Sequence, residues 1–321
     1  MIIGLIVVAI VAIFCLLNVY YLKVILAHSQ ENYILRGKKG KYDYISFGSA
    51  YCRYGFDFEG FVSGYNFGYG SQFLYYTDKM LREYAPISLK KGGVVFLVIA
   101  DLVFAEVGKG IYCSKQMQRL LSKESLGDEY SIIKRIRYNY LPLLNPRLLV
   151  KTICHLFRYG FSDVPDLYST LQSNELNVEE TLIAAQKRCD DWCRQFDFKD
   201  TFSTEELLPH REVFNKTTKI LTGMIQFCLD QGFKPILVVM PVSKSMNSLL
   251  RKEFMDFVLY SNIKKANAQN VPFFDYLRDS RFQDEDLYHN NADFLNAKGR
   301  RLFTATLLKD TAALLTSHIS R

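Results

Sequence analysis

The chain lacks several features that define whole classes of protein. It has no tract rich in glycine, proline or serine, which excludes disordered, collagen-like and low-complexity proteins. It also has no basic block: 40 Lys and Arg against 33 Asp and Glu give a net charge of +7 that is spread along the sequence. Nucleic-acid binding is therefore not expected. Apolar residues make up 49% of the 321 residues, which is enough for one large or two ordinary globular domains.

Paired metal-binding motifs are missing as well. The seven cysteines form an odd set without a CxxC…CxxC pattern, and they are too sparse for a disulfide scaffold. Cys189 and Cys193 have the i, i+4 spacing of one helix face, but their neighbourhood offers no histidine or further cysteine. We therefore expect no metal site and no cofactor.

The N-terminal segment has no charged side chain from Met1 to Leu22, and about 20 apolar helical residues cross a hydrocarbon core. We predict a transmembrane helix over 1–28 and a polar, basic linker over 29–41. A cleaved signal peptide is disfavoured because a basic n-region and an A-x-A site are absent. Lysines and arginines follow the span and none precedes it, so the positive-inside rule places the rest of the chain in the cytoplasm.

The remaining sequence alternates apolar strands with amphipathic helices. Tyr42–Phe47 is a short strand that stops at a Gly-Ser-Ala turn, and VVFLVIAD, ending at Asp101, is typical of a central strand buried on both faces. KPILVVMPVS, from Lys234, is a second buried strand. This pattern predicts an α/β domain over 42–321 with a mostly parallel sheet. The segment 108–209 has no buried strand, and we interpret it as a helical insertion over the carboxyl ends of the strands or as a cap that only packs.

Four blocks in this domain resemble the SGNH/GDSL hydrolase superfamily. They are Phe47-Gly48-Ser49-Ala50-Tyr51, Asn66-Phe67-Gly68, the strand LVVMPVS, and Asn291-Ala292-Asp293-Phe294-Leu295-Asn296-Ala297-Lys298-Gly299. Their order and spacing are most similar to the membrane-anchored branch that includes proteins of teichoic-acid D-alanylation and of alginate or cell-wall O-acetylation. The resemblance implies a three-layer α/β fold behind a single transmembrane helix, with the domain outside the cytoplasm.

The resemblance also implies where a catalytic triad would stand. The serine nucleophile of the family falls on Ala50, and the Asp-x-x-His pair falls on Asn291 and Phe294. Alanine has no oxygen to attack with, phenylalanine cannot take up a proton, and asparagine cannot stabilise an imidazolium. The ordinary acyl-enzyme route is closed on this alignment, so we expect a non-catalytic protein.

A substitute triad is the alternative. Ser49 is one residue from the nucleophile position, and Asp286 and His289 form a D-x-x-H of their own. A shift of one residue at a strand end points a side chain to the opposite face. Ser49 could therefore act as the nucleophile only if the turn after the strand differs from that of the family. His289 lies ten residues before Gly299, and the histidine of the family lies five before its glycine. An exposed loop histidine is the competing interpretation.

Three further residues are candidates for binding. The resemblance places an oxyanion hole at Asn66 and Gly68, whose alternatives are a turn residue and a glycine at positive φ. Asp101 ends a buried strand at the same edge of the sheet. Its two alternative roles are ligand binding and capping of a helix N-terminus. Tyrosines and phenylalanines crowd the first two blocks, which fits a glycan-binding cleft or ordinary core packing.

We therefore expect a membrane-anchored, SGNH-like protein without catalysis that serves cell-surface polysaccharide assembly or modification. Its expected partners are a glycan or acylated polymer, and a membrane acyltransferase or other polysaccharide-assembly proteins. An O-acyl esterase or acyltransferase using Ser49, His289 and Asp286 is the second hypothesis. A membrane-tethered cytoplasmic domain with an unrelated role is the third, favoured by the basic flank of the span.

Overall fold

A computed structural model of the chain describes residues 2–70, 72–105, 113–160, 178–196, 210–289 and 292–317. The chain forms two compact units. The helical unit consists of Met1–Arg36 and Ile111–Thr170, and the sheet unit of Gly37–Gly110 and Leu171–Arg321. The insertion predicted over 108–209 is thus divided: its first part belongs with the N-terminal helix, and its second part belongs with the sheet.

The sheet unit contains a five-stranded parallel sheet with the order β2-β1-β3-β4-β5. Its strands are β1 (Tyr42–Phe47), β2 (Gly64–Asn66), β3 (Leu89–Ile99), β4 (Lys234–Val239) and β5 (Phe273–Asp275). The predicted α/β class with a mostly parallel sheet is confirmed.

The α-helices of the described residues, in chain order, are α1 (Ile2–Tyr20), α2 (Gln30–Gly37), α3 (Ala50–Gly55), α4 (Leu74–Ser88), α5 (Cys113–Leu120), α6 (Lys123–Leu126), α7 (Ile132–Asn139), α8 (Pro146–Tyr159), α9 (Val178–Phe196), α10 (Arg211–Asp230), α11 (Lys244–Leu249), α12 (Lys252–Met255), α13 (Ser261–Ala266) and α14 (Ala297–Ser317). In the sheet unit, α4 and α13 pack on α10, α3 packs on α14, and α9 packs on α11.

The strands form where the apolar runs predict them. From Val94 to Ile99 every residue of β3 is buried, because β1 and β4 flank this strand and helices cover it. Aromatic side chains fill the space around it: Phe96 stacks on Tyr44, and Phe56 contacts both Phe96 and Phe303. This packing holds the carboxyl ends of the central strands in fixed positions.

The helical unit begins with one continuous helical segment from Ile2 to His28, which is long and apolar enough to cross a membrane, and an 18-residue stretch of it has a mean hydropathy of 3.1. Its apolar side chains are mostly exposed, unlike those of a helix in a soluble core.

The predicted linker 29–41 contains the helix α2. Ser29 Oγ accepts a hydrogen bond from the backbone N–H of Asn32 near the start of this helix, and Ile34 is fully buried. The segment is polar overall, so its sequence did not indicate a helix. The helix forms with Ser29 at its start and with the fully buried Ile34 side chain packed in the helical unit.

Candidate functional site

The strand order defines one position where ligands bind in open parallel sheets. The chain leaves β1 in one direction to form β2 and then returns past β1 to form β3, so the order reverses between β1 and β3. Crevices open at the carboxyl ends of strands at such a switch point. Ala50 begins α3 directly after β1, and Asp101 follows β3, so both predicted positions lie at this edge.

Four polar side chains meet there. Tyr51 Oη lies 2.9 Å from Asp293 Oδ2 and 3.2 Å from Asp101 Oδ2. Arg188, from α9, donates through Nε to the same Asp293 oxygen at 2.7 Å. Tyr51, Asp101 and Asp293 are buried, and Arg188 is half-buried. We call these four residues the carboxylate cluster.

The cluster holds two carboxyl groups and one guanidinium group in a buried space. Burial, and then the negative charge of Asp293, raise the pKa of Asp101 to about 7. Burial also raises the pKa of Asp293, against the opposing effects of Arg188 and Tyr51. Burial and the two carboxylates raise the pKa of Tyr51 well above its usual value, so its phenol stays protonated.

The single phenolic proton of Tyr51 fixes the direction of the hydrogen bonds. The Tyr51 hydroxyl donates to Asp293 at the shorter distance, so the contact with Asp101 is a hydrogen bond only when Asp101 is protonated and donates to Tyr51. The raised pKa of Asp101 agrees with this arrangement. In this arrangement Tyr51 links the two carboxyl groups through hydrogen bonds, and Arg188 pairs with Asp293.

A half-exposed surface of aromatic and cationic groups adjoins the cluster. The Phe294 ring packs on Tyr51 and Tyr54, with ring centroids 5.0 and 4.9 Å away. Arg188 Cζ lies 5.4 Å from the centre of Phe294, and Arg53 Cζ lies 5.1 Å from the centre of Tyr54. We call Arg53, Tyr54, Arg188 and Phe294 the cation–aromatic surface.

Two of the predicted triad positions lie close together. Ala50 is the first residue of α3, and the Phe294 ring contacts Tyr51 and Tyr54 of the same helix. Asn291 lies outside the described residues. Cys52, on the same helix, offers no substitute nucleophile, because burial raises the pKa of its thiol to about 12.

The residues of the substitute triad have other surroundings. Ser49 precedes α3, and its side chain makes no capping hydrogen bond. Asp286 forms an ion pair with Lys298, and its side chain is largely exposed. The backbone N–H of His289 donates to Phe294 O at 2.7 Å. With Asp286 paired to Lys298, the Asp286–His289 pairing that the triad needs requires a different side-chain arrangement.

Asn66 and Gly68 stand beside α3, and the Asn66 amide is already engaged in hydrogen bonds within the protein. Its Nδ2 donates to three backbone carbonyls at the end of α3, and its Oδ1 accepts from Ser46 Oγ, Cys52 Sγ and Gly68 N. An amide has two donors and two lone pairs, so none is left for an oxyanion. Gly68 is not at positive φ, and the need for glycine comes from its close approach to α3.

Asp101 forms contacts through both carboxyl oxygens, and its predicted role in ligand binding stays a prediction. Its Oδ1 accepts the backbone N–H of Leu102 at 3.0 Å, as a turn-capping residue does, and its Oδ2 contacts Tyr51 in the carboxylate cluster.

Sequence reasoning missed three members of the cluster, namely Tyr51, Arg188 and Asp293. Asp293 stands inside a block that resembles the hydrolases, and an aspartate one residue before the histidine position was the one available signal. The sequence contains no signal that marks Arg188 as a site residue, because it is one of several charged residues on an amphipathic helix.

Comparison with models of protein families gives no match, and comparison with curated protein sequences gives none at a significant level. The class of protein that the structure defines is an α/β protein with a five-stranded parallel sheet and one long apolar N-terminal helix.

Proposed function

We propose that this protein is a membrane-anchored, SGNH-like protein that binds a cell-surface polysaccharide or acylated polymer without hydrolysing it. It serves assembly or modification of that polymer outside the cytoplasm, with a membrane acyltransferase or other polysaccharide-assembly proteins as partners. The apolar segment 2–28 is its membrane anchor. The strand order and the packing of α3 with α14, and of α4 and α13 with α10, support the three-layer SGNH-like fold.

One observation carries the proposal. At the switch point, the position of the nucleophile is a methyl group and the position of the imidazole is a phenyl ring, and both belong to one packed site. The amide that would complete an oxyanion hole is bonded within the protein. Acyl transfer needs an activated nucleophile, and neither the methyl group of Ala50 nor the ring of Phe294 supplies a nucleophile or its base.

The cation–aromatic surface supports the choice of ligand. Tyr54 and Phe294 present half-exposed rings, which are suited to the C–H faces of sugars. Arg53 and Arg188 provide cations beside those rings, and Arg53 Nε has no hydrogen-bond partner among the described residues. Rings next to guanidinium groups fit a polymer with carboxylate groups, such as a hexuronate chain.

The first test measures hydrolysis. The full-length chain in detergent micelles is expected to turn over p-nitrophenyl acetate no faster than its Ser49→Ala variant does. A fluorophosphonate probe is expected to leave Ser49 unlabelled, because a serine without an imidazole base is a poor nucleophile.

A serine esterase in the same detergent serves as the positive control for both assays. Probe labelling of wild-type protein that disappears in Ser49→Ala and weakens in His289→Ala would establish the substitute triad and remove the non-catalytic proposal.

The second test measures ligand binding. Titration of the full-length chain with a hexuronate oligosaccharide is expected to show binding that Tyr54→Ala weakens about tenfold, which corresponds to about 1.4 kcal/mol. The matched control is Phe61→Ala. Phe61 also lies under a guanidinium group, that of Arg301 at 5.0 Å, but it precedes β2 at the amino end of the sheet. Equal affinities in wild type and Tyr54→Ala, or no binding by wild type, would contradict the proposed ligand.

A further inference from the structure

The helical unit contains a strongly basic pair of helices. Residues 131–160 include α7, a turn at Pro142–Leu144, and α8. We call this segment the basic hairpin. It carries six Lys and Arg residues and no Asp or Glu. The basic residues are Lys134, Arg135, Arg137, Arg147, Lys151 and Arg158.

The basic hairpin exposes large apolar side chains on the same faces as its charges. Ile133 is 76% exposed, Tyr140 is 66% exposed and Phe157 is 87% exposed. On α8, Val150 and Phe157 lie two turns apart on one exposed face, with Lys151 and Arg158 adjacent to them. A helix with apolar side chains beside lysines and arginines is typical of helices that lie in a membrane interface.

Hydrogen bonds hold the basic hairpin to the end of the apolar segment. Asn18 Nδ2 donates to Tyr140 O, and the Tyr20 hydroxyl contacts His155 Nδ1 and Gly160 O. About 20 helical residues cross the hydrocarbon core, and the uncharged part of the anchor ends before Lys23, so the span leaves the core near Tyr20. The attachment points are therefore at the depth of the lipid headgroups.

We propose that the basic hairpin lies in the headgroup region of the bilayer that α1 spans and binds anionic phospholipids there. The proposal rests on the proposed membrane span. The apolar side chains of the basic hairpin enter the upper acyl region, and its lysines and arginines contact lipid phosphates.

The charge pattern favours lipid over a protein partner. The centres of protein interfaces are depleted of charged residues other than arginine. Here the lysines and arginines lie between the exposed apolar residues, all with one sign, which matches a surface of phosphate groups.

The test uses the full-length chain in vesicles of phosphatidylcholine mixed with phosphatidylglycerol. The variant Phe157→Trp adds a fluorophore on the basic hairpin, and the wild type, whose single Trp192 is buried, provides the background. Lipids brominated near the headgroup are expected to quench the added emission, and more strongly as the share of phosphatidylglycerol rises. Adding Arg147→Gln, Lys151→Gln and Arg158→Gln is expected to lower the quenching by about half or more.

A separate variant, Ile10→Trp, reports on the span through lipids brominated deep in the acyl chains. Quenching of Ile10→Trp without quenching of Phe157→Trp would overturn the basic-hairpin proposal and leave the anchor intact. Loss of both signals would overturn the anchor and the basic-hairpin proposal together. If the extent of quenching of Phe157→Trp changes neither with the share of phosphatidylglycerol nor with the three glutamine substitutions, the role of anionic lipid is overturned.

Discussion

Replacement of Arg188 by methionine is expected to lower the free energy of unfolding of the sheet unit by about 3 kcal/mol at pH 8, and by much less at pH 5. Arg188 is the one cation that contacts the buried Asp293 in the described structure, and its charge also opposes the raised pKa of Asp101. Without it, two buried carboxyl groups face each other with no compensating charge at high pH. At low pH they are protonated and the cost falls.

The sign of the pH dependence follows from the raised pKa of Asp101. Its pKa in the folded protein is about 7, against 3.8 for an ordinary aspartate, so the folded state binds more protons between these values. The contribution of Asp101 to the free energy of unfolding therefore falls as pH rises from about 4 to about 7 and levels off above that range. Removing Arg188 raises the pKa of both carboxyl groups further, so the decline extends to higher pH.

Chemical denaturation followed by Trp192 fluorescence measures the effect, because Trp192 lies on α9 with its indole ring 5.2 Å from Arg188 Cζ. Lys187→Met is the matched control, since Lys187 is exposed on the same helix and its loss is expected to be neutral. Arg188→Met combined with Asp293→Asn is expected to recover part of the lost stability. Equal losses at pH 5 and pH 8 would show that Arg188 acts through packing alone.

The substitution Gly68→Ala is expected to destabilise the sheet unit by about 3 kcal/mol or to prevent folding. A Cβ atom at this position would stand 2.4 Å from Arg53 N and 2.7 Å from Cys52 C. Both are backbone atoms of α3, so no side-chain rotation relieves the overlap. Gly68 N also donates to Asn66 Oδ1, and Asn66 Nδ2 in turn donates to the carbonyls of Cys52 and Arg53 in α3.

Gly223→Ala provides the matched control for Gly68→Ala in thermal unfolding of the full chain. A Cβ atom at Gly223, within α10, meets only the flexible end of Arg82 at 3.3 Å. Alanine is also the better helix former, by about 1 kcal/mol, so this variant is expected to match or exceed the stability of wild type. A Gly68→Ala variant as stable as Gly223→Ala would mean that α3 can move away from the β2 loop.

The strands were predictable because their signals are local. Tyr42–Phe47 agrees with β1, and the apolar run ending at Asp101 agrees with the buried part of β3. A continuous apolar run flanked by glycine turns has few alternatives in a chain of this composition. The helix α2, which lies within the predicted linker 29–41, had no such local signal, because it packs through the buried side chain of Ile34.

The candidate site was predictable only in part. Placing Ala50 and Phe294 together required the order of the blocks, and the structure does bring Phe294 against α3. The availability of Asn66 for a ligand could not be judged, because its six hydrogen bonds involve residues from β1, α3 and the loop after β2.

By itself, the sequence determined that this protein has an apolar N-terminal helix of spanning length and an alternating α/β domain. These properties depend on residue types and on the spacing of neighbours along the chain. Only the tertiary structure decided that Arg188 faces Asp293 and Tyr51, and that residues 113–160 belong with the N-terminal helix. Such contacts join segments roughly a hundred or more residues apart, and the energy of a buried charge depends on which partners the fold brings to it.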